Sequence, residues 1–169
     1  FPRCIRLVHS RFQTNTFPTR GFAQPCRMVG HNGENNNLRG NRAWMETRQS
    51  LIHPEGLRGM EQLVPIVQPG MSDSASLDNV LEFLVMSGMS LPHALAMMIP
   101  ESWNARNPIS AELGAFYEYH SIWVGPWDGP VTLMFSDGRY AGGMLDRNGL
   151  RPARCLITKD ELMACLLSS

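Results

Sequence analysis

At 169 residues, with 43% hydrophobic and 18% charged side chains, the chain has material for one core and little for a second. Fifteen basic and fifteen acidic residues cancel at neutral pH and no long basic run appears, which argues against nucleic acid and anionic membrane surfaces as partners. No uninterrupted apolar segment approaches membrane-span length, so the partner classes left are small molecules and proteins.

In chain order, Ile5 to Val8 predicts a short strand delivering His9-Ser10-Arg11 to its end, and Thr14-Asn15-Thr16-Phe17-Pro18 turns the chain. Arg27 to Gly30 predicts a second strand, after which Gly30-His31-Asn32-Gly33-Glu34 and Asn35-Asn36-Asn37 read as loop. From Leu38 the period is helical, with Trp44, Met45, Arg48, Leu51 and Ile52 on one face until His53-Pro54 ends the helix. Val64 to Pro69 is a linker. Ser72-Asp73-Ser74 offers side-chain oxygens for a helix start, and Leu77, Val80, Leu81, Leu84 and Val85 form an amphipathic stripe that Gly88 stops.

Ser90-Leu91-Pro92 opens a further helix running to Pro100, and Ile109 to Trp123 another, with Leu113, Phe116, Tyr117 and His120 on one side. These Met and aromatic stripes read as core, and Trp123 and Trp127 as packing anchors. After Trp127-Asp128-Gly129-Pro130 the period changes to two: Val131, Leu133 and Phe135 alternate with Thr132, Met134 and Ser136. Asp137-Gly138 predicts a hairpin turn, Tyr140 to Leu145 the partner strand, Ala153 to Thr158 a third, and Leu162 to Leu167 a last apolar run. Strands, then helices, then a meander of strands make an α+β fold, with helices on antiparallel sheet.

Cys4, Cys26, Cys155 and Cys165 make no CxxC pair and no zinc-type spacing, so they read as free thiols in a reducing cytoplasm. His9 and His31 have no third ligand at sensible spacing and read as loop supports, not as a metal site. Phe1 and the apolar stretch at residues 163–169 read as cuts in a longer polypeptide.

Three short polar motifs carry one arginine, one Asn-Gly pair and one aspartate. Singly, Arg11 is a surface arginine, Asp73 a helix cap and Asn32-Gly33 a turn. Together they match the three ends of free glutamine: an arginine fork for its α-carboxylate, a carboxylate for its α-ammonium, and amide donors for the oxyanion formed at its side chain.

Four ordered motifs extend this. They are residues 9–18 (HSRFQTNTFP), Gly30-His31-Asn32-Gly33-Glu34 with Leu38-Arg39-Gly40-Asn41, Ser72-Asp73-Ser74 with Leu77-Asp78-Asn79, and residues 145–152 (LDRNGLRP). In these the chain resembles the class II glutamine amidotransferase domain of glutamate synthase large subunits, over essentially its whole length. The resemblance implies an N-terminal-nucleophile hydrolase fold, an αββα sandwich with antiparallel sheets, of which residues 1–169 are one part, truncated at both ends. It implies hydrolysis of L-glutamine to glutamate and ammonia by an N-terminal cysteine whose own α-amino group is the base. Arg11 then holds the substrate carboxylate, Asn32 and Gly33 form the oxyanion hole, and Asp73 binds the ammonium.

For a full-length enzyme the resemblance implies FMN, an iron–sulfur cluster, reductive amination of 2-oxoglutarate, and a reductase small subunit or ferredoxin as electron source. None of these cofactors is expected within these residues, whose direct partners are glutamine and the remaining synthase domains. The compartment expected is the cytoplasm, or a plastid in a photosynthetic eukaryote.

Three positions depart from the pattern. The nucleophilic cysteine is absent, Cys4 having no free α-amino group and reading as a buried structural thiol; Arg20 stands where tryptophan is usual; and Asn35 replaces an aliphatic residue. The isolated chain is therefore not expected to hydrolyse glutamine. Two other readings are a non-catalytic glutamine-binding or interaction module, and another class II enzyme such as amidophosphoribosyltransferase. The motif at 145–152 argues against the second.

Overall fold

The computed structural model describes residues 5–9, 23–51, 59 and 62–167. In chain order these form β1 (Val29–Gly33), α1 (Leu38–Gln49), α2 (Asp73–Met86), α3 (Leu91–Met98), α4 (Ala111–Ser121), β2 (Val131–Ser136), β3 (Ala141–Leu145), β4 (Ala153–Ile157) and β5 (Met163–Leu167). Helices and antiparallel sheet together give the expected α+β class. Cys4, Arg11, Arg20, the turn at residues 14–18 and His53-Pro54 lie outside the described residues.

The alternating run after Pro130 becomes the middle of a sheet ordered β1-β2-β3, antiparallel throughout. Register pairs His31 with Leu133 and Gly33 with Val131, placing Val29, His31 and Gly33 on the same face as Val131, Leu133 and Phe135. That face meets α2 and α3, and Val29, Leu77, Val80, Leu81, Leu91, Leu95, Met98, Val131 and Leu133 form one buried cluster with Trp127. Phe135 lies over its partner Gly142, where a Cβ would stand 2.6 Å from the ring edge, so a side chain there would displace the ring.

The helix starts follow local chemistry. Ser72 caps α2 by accepting the Ala75 N–H at 3.2 Å, and Ser110 caps α4 by accepting the Leu113 N–H at 3.2 Å. Pro92 sits in the first turn of α3, where its missing N–H is harmless.

Several expectations are corrected. Ile5 to His9 has no regular secondary structure: alternation makes a strand only where a neighbouring edge supplies partners. β1 runs on through His31 and Asn32 to Gly33, so the polar motif expected in a loop is largely strand, held by its pairing with β2. α1 ends at Gln49, before the proline expected to stop it, and buries Asn41 and Met45 while Trp44 and Leu51 stay exposed. α2 is buried well beyond a stripe, with Ser74, Ala75, Ser76, Leu77 and Asp78 consecutive in the interior. Small side chains let it approach its neighbours on more than one face.

Trp127 is buried as expected, whereas Trp123 is 54% exposed, and its carbonyl accepts the Trp44 indole N–H at 3.3 Å. The final strands do not extend the meander. β4 and β5 pair with each other in a second, two-stranded sheet, and β5 lies against β2. There Cys155 and Cys165, opposite each other in the register, are joined as a disulfide, which overturns the free-thiol expectation for both. Cys26 is a free thiol. No helix among the described residues is long and apolar enough to cross a membrane.

Candidate active site

The end of β1 organises the site. In an antiparallel ladder, alternate residues turn their N–H and C=O groups toward or away from the partner strand. Val29 and His31 face away from β2. The Val29 N–H donates to Asp78 Oδ1 at 3.0 Å and the His31 N–H to Gln24 Oε1 at 2.7 Å, while the His31 carbonyl meets His9 Nε2 at 3.1 Å. The same alternation turns the Gly33 N–H to the outer edge of β1. Gly33 has φ of 140°, and a Cβ there would lie 2.0 Å from the Pro130 carbonyl oxygen, so only glycine fits.

Asn32 projects from the face opposite His31. Arg151 Nη1 donates to its Oδ1 at 3.0 Å, which makes Nδ2, the donor end of the amide, the end turned away from the guanidinium. Arg151 is fixed in turn. Its carbonyl accepts the Thr132 hydroxyl at 3.0 Å, and Asp146 Oδ1 accepts the N–H groups of Leu150 at 2.9 Å and Arg151 at 3.3 Å. The Asp146-to-Arg151 turn, part of the 145–152 motif, thus reaches Asn32 through Arg151.

Asp73, the first residue of α2, is reached around the edge of β1. Its Oδ2 accepts the Asn35 N–H at 3.0 Å and lies 3.6 Å from His31 Nε2, and its Oδ1 accepts the Ser74 hydroxyl at 3.4 Å. Gln24 joins the two sides, accepting from the His31 N–H and donating to Ser74 Oγ at 3.4 Å. Burial holds the His31 imidazole below its usual pKa; Asp73 pulls it up, and His9 and Arg151 push it further down. The ring is therefore neutral at pH 7.

Five residues along α2, Asp78 is inside the protein and accepts backbone N–H groups from Arg27, Met28 and Val29 at 2.9–3.0 Å. Burial raises its carboxyl pKa while these three bonds oppose the rise. Burial, with Asp78 and Asp73 nearby, pushes the Cys26 thiol up to about 12, so it stays protonated and is a poor nucleophile.

The structure thus brings Asn32, Gly33 and Asp73 to one end of β1, whereas Arg11 lies outside the described residues. Sequence reasoning gave no individual role to Arg151, Gln24 or Asp78. Arg151 and Asp78 each lay within one of the four motifs, at residues 145–152 and in Leu77-Asp78-Asn79, which was their only signal; Gln24 offered none. The side-chain amide of Asn35 is buried without a hydrogen-bond partner, and nothing in the structure explains it. A cavity of about 430 Å³ lies elsewhere, among Met45, Arg48, Phe83, Leu84, Met97 and His120, and none of the site residues borders it.

The family model for class-II glutamine amidotransferases matches residues 1–169. The chain is 51% identical over 161 residues to glutamate synthase [NADH] of Schizosaccharomyces pombe, covering 94% of this chain and 8% of that protein. It is 49% identical over 162 residues to the glutamate synthase [NADPH] large chain of Bacillus subtilis, covering 95% of this chain and 11% of the relative. It is also 45% identical over 165 residues to ferredoxin-dependent glutamate synthase of Cyanidium caldarium, with coverages of 96% and 11%. The chain spans about a tenth of the length of these relatives. With a family match from its first residue to its last, this chain belongs to the class-II glutamine amidotransferases.

Proposed function

We propose that the chain is the glutamine-binding part of the glutaminase domain of a glutamate synthase, folded as part of the αββα sandwich of N-terminal-nucleophile hydrolases. The observation that carries this is the Arg151–Asn32 hydrogen bond beside Gly33. It sets the amide so that its N–H end, with the Gly33 N–H, is suited to an oxyanion at the end of β1.

In this reading glutamine lies around that edge. Arg11 binds its α-carboxylate, Asp73 its α-ammonium, and Asn32 and Gly33 face its side-chain oxygen. A cysteine thiolate outside these residues adds to the amide carbon, and the C=O electron pair moves onto oxygen, where the two donors meet it. Collapse of this adduct re-forms the C=O bond and expels the nitrogen as ammonia, protonated by the α-amino group that took the thiol proton, leaving a thioester that water hydrolyses to glutamate with return of the thiol. One such donor lowers the barrier by roughly 3 kcal/mol.

The ammonia then serves reductive amination of 2-oxoglutarate in a larger polypeptide that carries FMN and an iron–sulfur cluster and takes electrons from a reductase subunit or ferredoxin. The described residues do not fit the cluster. No group of three His, Cys, Asp or Glu among them could hold a metal, and Cys155 is bonded to Cys165. The cytoplasm, or a plastid, is the compartment that goes with this reading.

The test is ammonia release from L-glutamine by the complete polypeptide, compared with its Asn32→Ala variant. The expected result is a drop in kcat of about 100-fold with KM little changed. Glutamine binding without ammonia release, in the unaltered protein, would make the chain a binding module instead.

A further inference from the structure

His31 sits at the centre of the site, yet the proposed reaction gives it nothing to do. Its side chain is 2% exposed, and Nε2 is buried without a hydrogen-bond partner. A buried ring nitrogen left in that state is destabilising unless something draws on it. Asp73 Oδ2 stands 3.6 Å away, beyond a hydrogen bond and within reach of one after a shift of about half an ångström. Such contacts are commonly long in a ligand-free site and tighten when substrate arrives.

The backbone of His31 is anchored to serve this. Gln24 accepts its N–H and also donates to Ser74 Oγ, next to Asp73, while His9 meets its carbonyl. Asp73 Oδ2 already takes the Asn35 N–H, so a second donor there would hold that oxygen on the protein side and leave the carboxylate one orientation. Burial keeps the ring neutral, with a single N–H to give.

We propose that His31 is a positioning residue for Asp73: its Nε2–H aligns the carboxylate that receives the α-ammonium of glutamine. This rests on the glutaminase reading above. The consequence is selective. His31 contributes to recognising the amino group of the substrate and does not touch the reacting amide.

Glutaramate, which keeps the carboxylate and the side-chain amide of glutamine but lacks the α-ammonium, separates the two roles. In the complete polypeptide, His31→Gln keeps an N–H near the place of Nε2, whereas His31→Asn offers one only near Nδ1. His31→Asn should lower kcat/KM for glutamine about tenfold, mainly through KM, and change glutaramate less than twofold. His31→Gln should restore most of the loss. In an Asp73→Asn background, His31→Asn should cost less than twofold more, because the group it positions is gone. Equal losses on both substrates, no rescue by glutamine at position 31, or a full tenfold loss added to Asp73→Asn would each overturn the proposal. Absence of ammonia release by the unaltered protein would overturn the glutaminase reading, and this inference with it.

Discussion

Helix α2 carries two aspartates with opposite fates. Asp78 lies inside the protein and takes N–H groups from three consecutive residues, Arg27 and Met28 leading into β1 and Val29 its first. Asp73, at the helix start, has a side chain 21% exposed and takes one backbone N–H, from Asn35. One carboxylate is saturated by the fold and works as a clamp between α2 and β1. The other, at a rim, takes one backbone N–H on Oδ2 and a long hydroxyl contact from Ser74 on Oδ1, and retains acceptor capacity that a cation can use. The same residue type on one helix is thus structural or ligand-binding according to how many donors the fold delivers to it.

The sharpest way to break this contrast is to delete the two carboxylates in turn. Asp78→Ala leaves three backbone N–H groups without their acceptor, two of them on buried residues, and should cost on the order of 3 kcal/mol. Hydrogen exchange at Met28 and Val29 in the complete polypeptide should accelerate accordingly, and activity toward glutamine and glutaramate should fall together. Asp73→Ala should have the smaller structural effect, about 1 kcal/mol from the lost charge at the helix start and the Asn35 bond. Its mark should be functional: kcat/KM for glutamine down roughly 10- to 100-fold by loss of the ammonium's partner, with glutaramate nearly unaffected. If Asp73→Ala instead loosened β1 as much as Asp78→Ala, both aspartates would be clamps and the contrast would be gone.

What the sequence made legible was local. Ser72 announces a helix start because a cap needs only the next three residues, and Asp137-Gly138 announces a turn for the same reason. The candidate site came from combination and not from residue type, since Asn32-Gly33 and Asp73 singly read as a turn and a helix cap. What escaped depends on distant partners. Arg151 reaches Asn32 across 119 positions of sequence, and nothing near either residue encodes the pairing. Asp78 lies one turn along from Ser74, but that the start of β1 would pass beside it is a property of the fold.

The disulfide is an intermediate case. Cys155 and Cys165 are equidistant from Asp160 in the turn that joins β4 to β5, so once the hairpin is granted the register places them opposite each other. Looking for CxxC spacing missed a pairing that the turn had already set. The Ile5–Val8 strand failed for the converse reason, since alternation states which residues would share a face but supplies no neighbouring strand.

The finest test of the Asp78 clamp is the sign of its pH dependence. Its carboxyl pKa is raised above the ordinary 3.8, first by burial, with the bonds to Met28, Arg27 and Val29 opposing and the nearby Glu82 adding to the rise. A carboxyl with a raised pKa holds its proton more tightly when folded, so its contribution to stability is complete below about 3.8 and is lost as pH climbs through the folded value. Asp78→Asn has no such dependence. The protection of the Met28 and Val29 amides in the unaltered protein, relative to Asp78→Asn at the same pH, should therefore be greatest in acid. It should decline above 3.8 by at most about 1.4 kcal/mol per pH unit, and level off beyond the folded pKa. A slope of opposite sign would mean that three N–H donors outweigh burial, and that the clamp is strongest when charged.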